Sequence, residues 1–165
     1  MSDNTIRSDE DTGAHQMAES RAAQAAEVKA KPAAEGQPPA RPARILVMDD
    51  DESVCMLASR MLARCGYAVA TVADGQEAIA SYRQALEAGE PFAAVIMDLT
   101  IPGGIGGKEA IQDLLAIDAH VRAIVSSGYA GDPVMANFAD YGFKGTAAKP
   151  YTVNELRDVV ARVLK

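Results

Sequence analysis

Acidic side chains stand at two places where an apolar run stops. Ile45-Leu46-Val47-Met48 leads straight into Asp49, Asp50, Asp51 and Glu52, and the apolar residues 93–97 lead into Asp98. Two further runs end on polar groups of another kind: Ser126 and Ser127 before Gly128, and Lys149 before Pro150. If these runs are neighbouring parallel strands, their last side chains share one crevice, because open α/β sheets do their chemistry beyond the carboxyl ends of the strands. Asp49, Asp50 and Asp98 would repel one another there. The cluster becomes reasonable when a hard divalent cation bridges it, and a few carboxylate oxygens with waters and a phosphoryl oxygen suit octahedral Mg²⁺. A hydroxyl and an ammonium nearby are what the oxygens of a transferring phosphoryl group need. Asp98, at a strand end with a loop directly after it, is the candidate reactive residue.

Each signal alone has a plainer meaning. Acids before a helix cap it and favour its dipole, which accounts for Asp51 or Glu52. A Ser before Gly is usually a turn residue and a Lys before Pro a surface charge. Only their joint placement points to chemistry.

That placement depends on five strands alternating with five helices. Apolar runs predict strands near residues 44–48, 68–72, 93–98, 122–127 and 145–148, each followed by a longer stretch of helical spacing. Such alternation means parallel βαβ units in an α/β fold. The first helix, about 52–65, sets Val54, Leu57, Ala58, Met61 and Leu62 on one face, and Gly66 is placed to end it in a left-handed cap. The second runs from a cap at Asp74 to about Glu87, the third over 107–117, the fourth over 132–141 and the fifth over 152–164. Thr152 with Glu155 reads as a capping box.

With 165 residues, 48% of them hydrophobic, the chain has room for one domain and a tail. Residues 1–43 have no aromatic side chain and few large apolar ones, and Pro32, Pro38, Pro39 and Pro42 crowd their end, so a disordered Ala/Pro-rich tail and linker is expected there. Residues 14–30 have the propensity for a transient helix, and His15 within them reads as a solvated bystander. Residues 44–165 form the folded domain. No apolar run reaches the ~20 residues of a membrane span and no signal peptide is evident, so a cytoplasmic location is expected. The net charge of −7, with no basic stripe, argues against general binding to nucleic acid or anionic membranes. Cys55 and Cys65 lack metal-site spacing and read as reduced, partly buried thiols.

The segments ILVMDDDES, VIMDLTIPGG, IVSSGY and AAKPY, in that order, resemble the receiver (response-regulator) domain of two-component signalling, most closely receivers of hybrid sensor histidine kinases. The resemblance spans residues 44–165. It implies a flavodoxin-like, doubly wound five-stranded parallel sheet of strand order 2-1-3-4-5. It also implies that Asp98 is the phosphoacceptor, with Mg²⁺ held by Asp49, Asp50, Asp98 and the backbone carbonyl of Thr100. Lys149 matches the phosphate-binding lysine and Ser127 the switch hydroxyl. Ser127 lies twenty-two residues before Lys149, the family separation, and leaves Gly128 at the small-residue position that gives access to the phosphate; Ser126 is the fallback. Thr100 and Tyr129 would flank the phosphate, and the Lys149–Pro150 bond is often cis in such domains.

The implied function is a stand-alone receiver taking a phosphoryl group from a sensor histidine kinase or a histidine phosphotransfer protein and signalling through protein contacts. The implied assembly is a monomer or a weak dimer through the helix 4–strand 5–helix 5 face. One departure matters: three residues before the lysine, where the family often has a Tyr or Phe, stands Thr146. Tyr129 or Tyr151 could take over part of that switch. Thr146 also keeps open a phosphate-independent binding module. A haloacid-dehalogenase-like phosphatase is imitated by Asp49, Asp51 and Ser53, but it leaves Asp98 unexplained and lacks a later acidic motif.

Overall fold

The computed structural model describes residues 41–165. The expected tail, its transient helix and His15 lie outside the described residues. Five strands, β1 (Arg44–Met48), β2 (Ala68–Val72), β3 (Ala94–Asp98), β4 (Ala123–Ser127) and β5 (Gly145–Ala148), alternate with helices α1 (Glu52–Arg64), α2 (Gly75–Glu87), α3 (Gly107–Ile117), α4 (Pro133–Ala136) and α5 (Val153–Val163). All strand pairs are parallel and the order is β2-β1-β3-β4-β5. The three most deeply buried strands, β1, β3 and β4, sit in the middle, where both faces are covered.

Alternation along each strand splits the core in two. Leu46, Met48, Val95, Met97 and Val125 face α2, α3 and α4, burying Tyr82, Ile111 and Leu114 against them. Ile45, Val47, Ala94, Ile96 and Ile124 face α1 and α5, burying Leu62, Leu156 and Val160. Each fully buried Leu, Ile or Val of these layers is worth about 1.5–3 kcal/mol relative to exposure.

The helix ends follow local chemistry. Asp51 accepts from the Ser53 N–H at 2.8 Å and caps α1, and Asp74 accepts from the Glu77 N–H at 2.9 Å and caps α2. Gly66 has φ +88°, and the Gly66 N–H donates to the Ala63 carbonyl while the Tyr67 N–H donates to the Leu62 carbonyl, a Schellman ending for α1. At α5 the Thr152 and Glu155 groups cap each other reciprocally. Thr152→Ala should cost about 1 kcal/mol, read by chemical denaturation, with the amides of the first turn of α5 exchanging fastest.

Two expectations are corrected. On α1 the buried stripe is Cys55, Ala58 and Leu62, while Leu57 is 50% exposed. Ala58 and Leu62 lie inward as expected and Val54 and Met61 are half-buried, but packing against α5 turns Cys55 inward and leaves Leu57 at the solvent edge of the stripe. The fourth helix does not run through 132–141. It stops after one turn and gives way to a 3-10 turn at Phe138–Tyr141. Asn137, at φ −121° and ψ 38°, donates through both its backbone N–H and its side-chain Nδ2 to the Pro133 carbonyl, so an amide side chain competes with the ladder at the break. The hydrogen bonds of α4 converge on Asp132, whose side chain takes the Val134 N–H and whose carbonyl takes those of Met135 and Ala136. Gly142, at φ +96°, then turns the chain into Phe143, which is buried.

Candidate functional site

Three ladder hydrogen bonds extend the sheet past the strand ends and set the positions of the site. The Asp49 N–H donates to the Val72 carbonyl at 3.1 Å, the Leu99 N–H to the Ser126 carbonyl at 2.8 Å and the Lys149 N–H to the Ser127 carbonyl at 2.8 Å. Asp49 and Asp98 therefore continue the face that carries Val47 and Ile96, toward α1 and α5.

The carboxylates of Asp49, Asp50 and Asp98 offer oxygens that all lie within 4.8 Å of one another. They grade from buried Asp49 through half-buried Asp98 to exposed Asp50. Lys149 reaches across from β5, placing Nζ 2.6 Å from Asp49 Oδ2 and 3.1 Å from Asp98 Oδ2. The other oxygen of Asp49 accepts the Asp51 N–H at 3.1 Å, and the Cys55 thiol donates to the Asp49 carbonyl at 3.4 Å. Asp51, meanwhile, commits its carboxylate to the α1 cap and is exposed, which removes the second acid that the dehalogenase-like reading needs.

Burial raises the Asp98 carboxyl above the ordinary carboxylate value; Lys149 lowers it and the Asp49 charge raises it again. For Lys149 burial opposes the ammonium, but hydrogen bonds and charge from Asp49 and Asp98 outweigh it and raise its value. Burial likewise pushes the Cys55 thiol up, reinforced by Asp49, so that thiol is a poor nucleophile.

These shifts set a sign. Because folded Asp98 holds its proton to higher pH than the unfolded chain does, ionised Asp98 costs stability at neutral pH, and that cost fades as pH falls through its folded value toward the unfolded one. Asp98→Asn should therefore raise the thermal midpoint of the cation-free protein at pH 7, and the difference should shrink toward pH 4, near the unfolded carboxyl value of about 3.9.

A graded set of carboxylate oxygens, closed on the protein side and open toward solvent at Asp50, matches the demands of a hard divalent cation that keeps several waters. Of the other expected residues, Ser127 is buried, and its hydroxyl accepts the Tyr129 N–H at 3.1 Å. Thr100 is exposed in the loop after Asp98. A Cβ at Gly128 would meet nothing within 4 Å, so that position leaves open space. The Lys149–Pro150 bond is cis. Thr146 is half-buried on β5, Tyr129 is 70% exposed, and Tyr151 is buried in the same cluster as Cys55. Sequence reasoning did not assign Cys55 to the support of Asp49; its spacing from the acids was the available signal, masked by Leu57, which extends the apolar stripe on its other edge.

Comparison with known proteins agrees with this geometry. The chain is 26% identical over 121 residues to sporulation initiation phosphotransferase F of Bacillus subtilis, covering 73% of this chain and 93% of that protein. It is 28% identical over 123 residues to the chemotaxis protein CheY of Thermotoga maritima, covering 74% and 98% respectively. Among solved structures, the receiver domain of a sensor histidine kinase from Pseudomonas aeruginosa, with a magnesium ion coordinated in its active-site cleft, superimposes with a TM-score of 0.65 at 26% identity, covering 74% of this chain and 98% of that one. No helix among the described residues is long and apolar enough to cross a membrane. The family profile of the response regulator receiver domain matches residues 45–161, and the chain belongs to that family.

Proposed function

We infer that this chain is a receiver that accepts a phosphoryl group on Asp98 in a Mg²⁺-dependent phosphorelay. The observation that carries the reading is the Lys149 ammonium lying between Asp49 and Asp98 in a crevice that also holds Asp50. The donor is a phosphohistidine of a sensor histidine kinase or of a histidine phosphotransfer protein. A carboxylate oxygen of Asp98 forms the new O–P bond while the N–P bond breaks, and its electron pair returns to the imidazole of the donor. Lys149 holds the equatorial oxygens, and Ser127 turns from the Tyr129 N–H toward the phosphoryl group as the switch hydroxyl. Asp49, Asp50, Asp98 and the Thr100 carbonyl would hold Mg²⁺, which supplies charge neutralisation at the phosphoryl oxygens. The product is an acyl phosphate on Asp98 and a shifted equilibrium of the α4–β5–α5 face, through which the protein, a monomer or weak dimer, changes its affinity for partners.

The test is intact mass after incubation with a small-molecule phosphodonor and Mg²⁺, a suitable readout for a chain without Trp. A single phosphoryl adduct is expected for wild type, dependent on Mg²⁺ and lost in Asp98→Asn. A wild type that stays unlabelled with the small donor and with candidate kinases would point instead to a phosphate-independent binding module.

A further inference from the structure

The hydroxyl of Ser126 is the one buried side-chain polar atom among the described residues that has no hydrogen-bond partner, and the residue is only 2% exposed. Its neighbours on adjacent strands are Asp98 on β3 and Ala147 on β5. By strand alternation Ser126 shares the face of Ile124, Ile96 and Ala147, the face on which Asp49 and Asp98 stand. Lys149 leaves β5 one residue after Ala148, the partner of Ser127, and ends 2.6 Å from Asp49 at the end of β1 and 3.1 Å from Asp98, the partner of Ser126, so the side chain crosses the end of β4 on the way. A buried hydroxyl left unpaired costs stability, and an apolar side chain would pack under a lysine stem at no such cost. The hydroxyl therefore calls for a state in which it is paired.

The ammonium provides that state. It carries three N–H donors and has two acidic partners, Asp49 and Asp98. Both oxygens of Asp49 are already engaged, one by Lys149 and one by the Asp51 N–H. A cation that draws on the carboxylates of Asp49 and Asp98 weakens their hold on Lys149 just when the lysine must stay above Asp98. We propose that Ser126 is a positioning residue for Lys149, its hydroxyl oxygen accepting an ammonium N–H when the acid cluster binds a divalent cation. This role is separate from that of Ser127 and rests on the phosphoacceptor reading of Asp98.

The experiment uses the full chain as wild type, Ser126→Ala and Ser126→Thr, with Mg²⁺ as the probe. NMR of the Lys149 ammonium in Mg²⁺-saturated protein, without phosphodonor, should show proton exchange about fivefold to tenfold faster in Ser126→Ala, the loss of one hydrogen bond, and near wild type in Ser126→Thr. Adduct formation at Asp98 should slow by a similar factor in Ser126→Ala and recover in Ser126→Thr. Equal Lys149 exchange in wild type and Ser126→Ala would overturn the proposal, as would a Ser126→Thr variant as impaired as the alanine. A wild type that forms no adduct would fail the phosphoacceptor reading alone, because the exchange measurement needs no phosphodonor and still decides Ser126.

Discussion

Lys149→Ala should slow adduct formation at Asp98 by about a hundredfold to a thousandfold, the range seen when one preorganised charge-stabilising donor is removed from a reacting centre. Nζ is 2.6 Å from Asp49 and 3.1 Å from Asp98, so its loss takes away the cation of the site and leaves two carboxylates facing each other. The cation-free fold should lose about 2 kcal/mol, between the values for exposed and fully buried pairs, because the lysine side chain keeps 18% of its exposure. Lys149 is raised above its ordinary value by its acidic partners. Its contribution is therefore complete below the unfolded ammonium value of about 10.4 and disappears as pH rises past the folded one. Stabilities of wild type and variant should differ by a constant amount through neutral pH and converge in strong alkali, and again in acid, where the carboxylate partners lose their charge. Mg²⁺ should narrow the gap and bind the variant more tightly, since ammonium and metal compete for the same oxygens. A variant labelled as fast as wild type in intact-mass time courses would remove Lys149 from the mechanism.

Gly107→Ala should cost about 2–3 kcal/mol, the scale of overpacking against parts that cannot move. A Cβ at Gly107 would stand 2.8 Å from the Asp98 carbonyl oxygen and 3.1 Å from the Met97 Cβ, and one at Gly106 would strike the Leu99 carbonyl. Gly106 has φ −81°, a conformation open to any residue, so glycine is required there for room. The obstacle is backbone, directly at Asp98, and relief must displace either α3 or Asp98. The expected result by denaturation and adduct kinetics is lowered stability together with slower labelling. Gly128→Ala, whose Cβ meets nothing within 4 Å, is the control and should leave stability unchanged. An unaltered stability for Gly107→Ala would show that α3 can yield where it meets the β3 end.

The strands were legible because each is a short apolar run ended by a polar residue, and only the first residues of β3 and β4 differ, by one position. The caps at Asp51, Asp74 and Thr152 were legible for the same local reason: the acceptor and the amide it serves are two or three residues apart. The gathering of Asp49, Asp50, Asp98 and Lys149 followed from parallel topology, although their contacts join residues as much as one hundred positions apart. What escaped depended on competition between near-equal choices. Cys55 and Leu57 lie on opposite edges of the apolar stripe of α1, and only the approach of α5 decides which edge is buried. Asn137 is an ordinary residue in a helical pattern until its amide reaches the Pro133 carbonyl. Ser126 and Ser127 are told apart in the sequence by their separation from Lys149, but only the sheet shows one hydroxyl bonded to a backbone amide and the other unpaired.

The break in the fourth helix changes what kind of object a signal would move. A long helix is a rigid rod, whose displacement at one end is felt at the other. Here the amides of Val134, Met135 and Ala136 all donate to Asp132, to its carboxylate or its carbonyl, and the turn is continued by Asn137 alone, at the Pro133 carbonyl. The three amides share one acceptor residue, so they would open and close together as a hinged unit rather than fray in sequence, with the buried Val134 side chain as its anchor in the core. Seen this way, the segment is a latch with a single catch, set five residues after Ser127 in the loop that leaves the site.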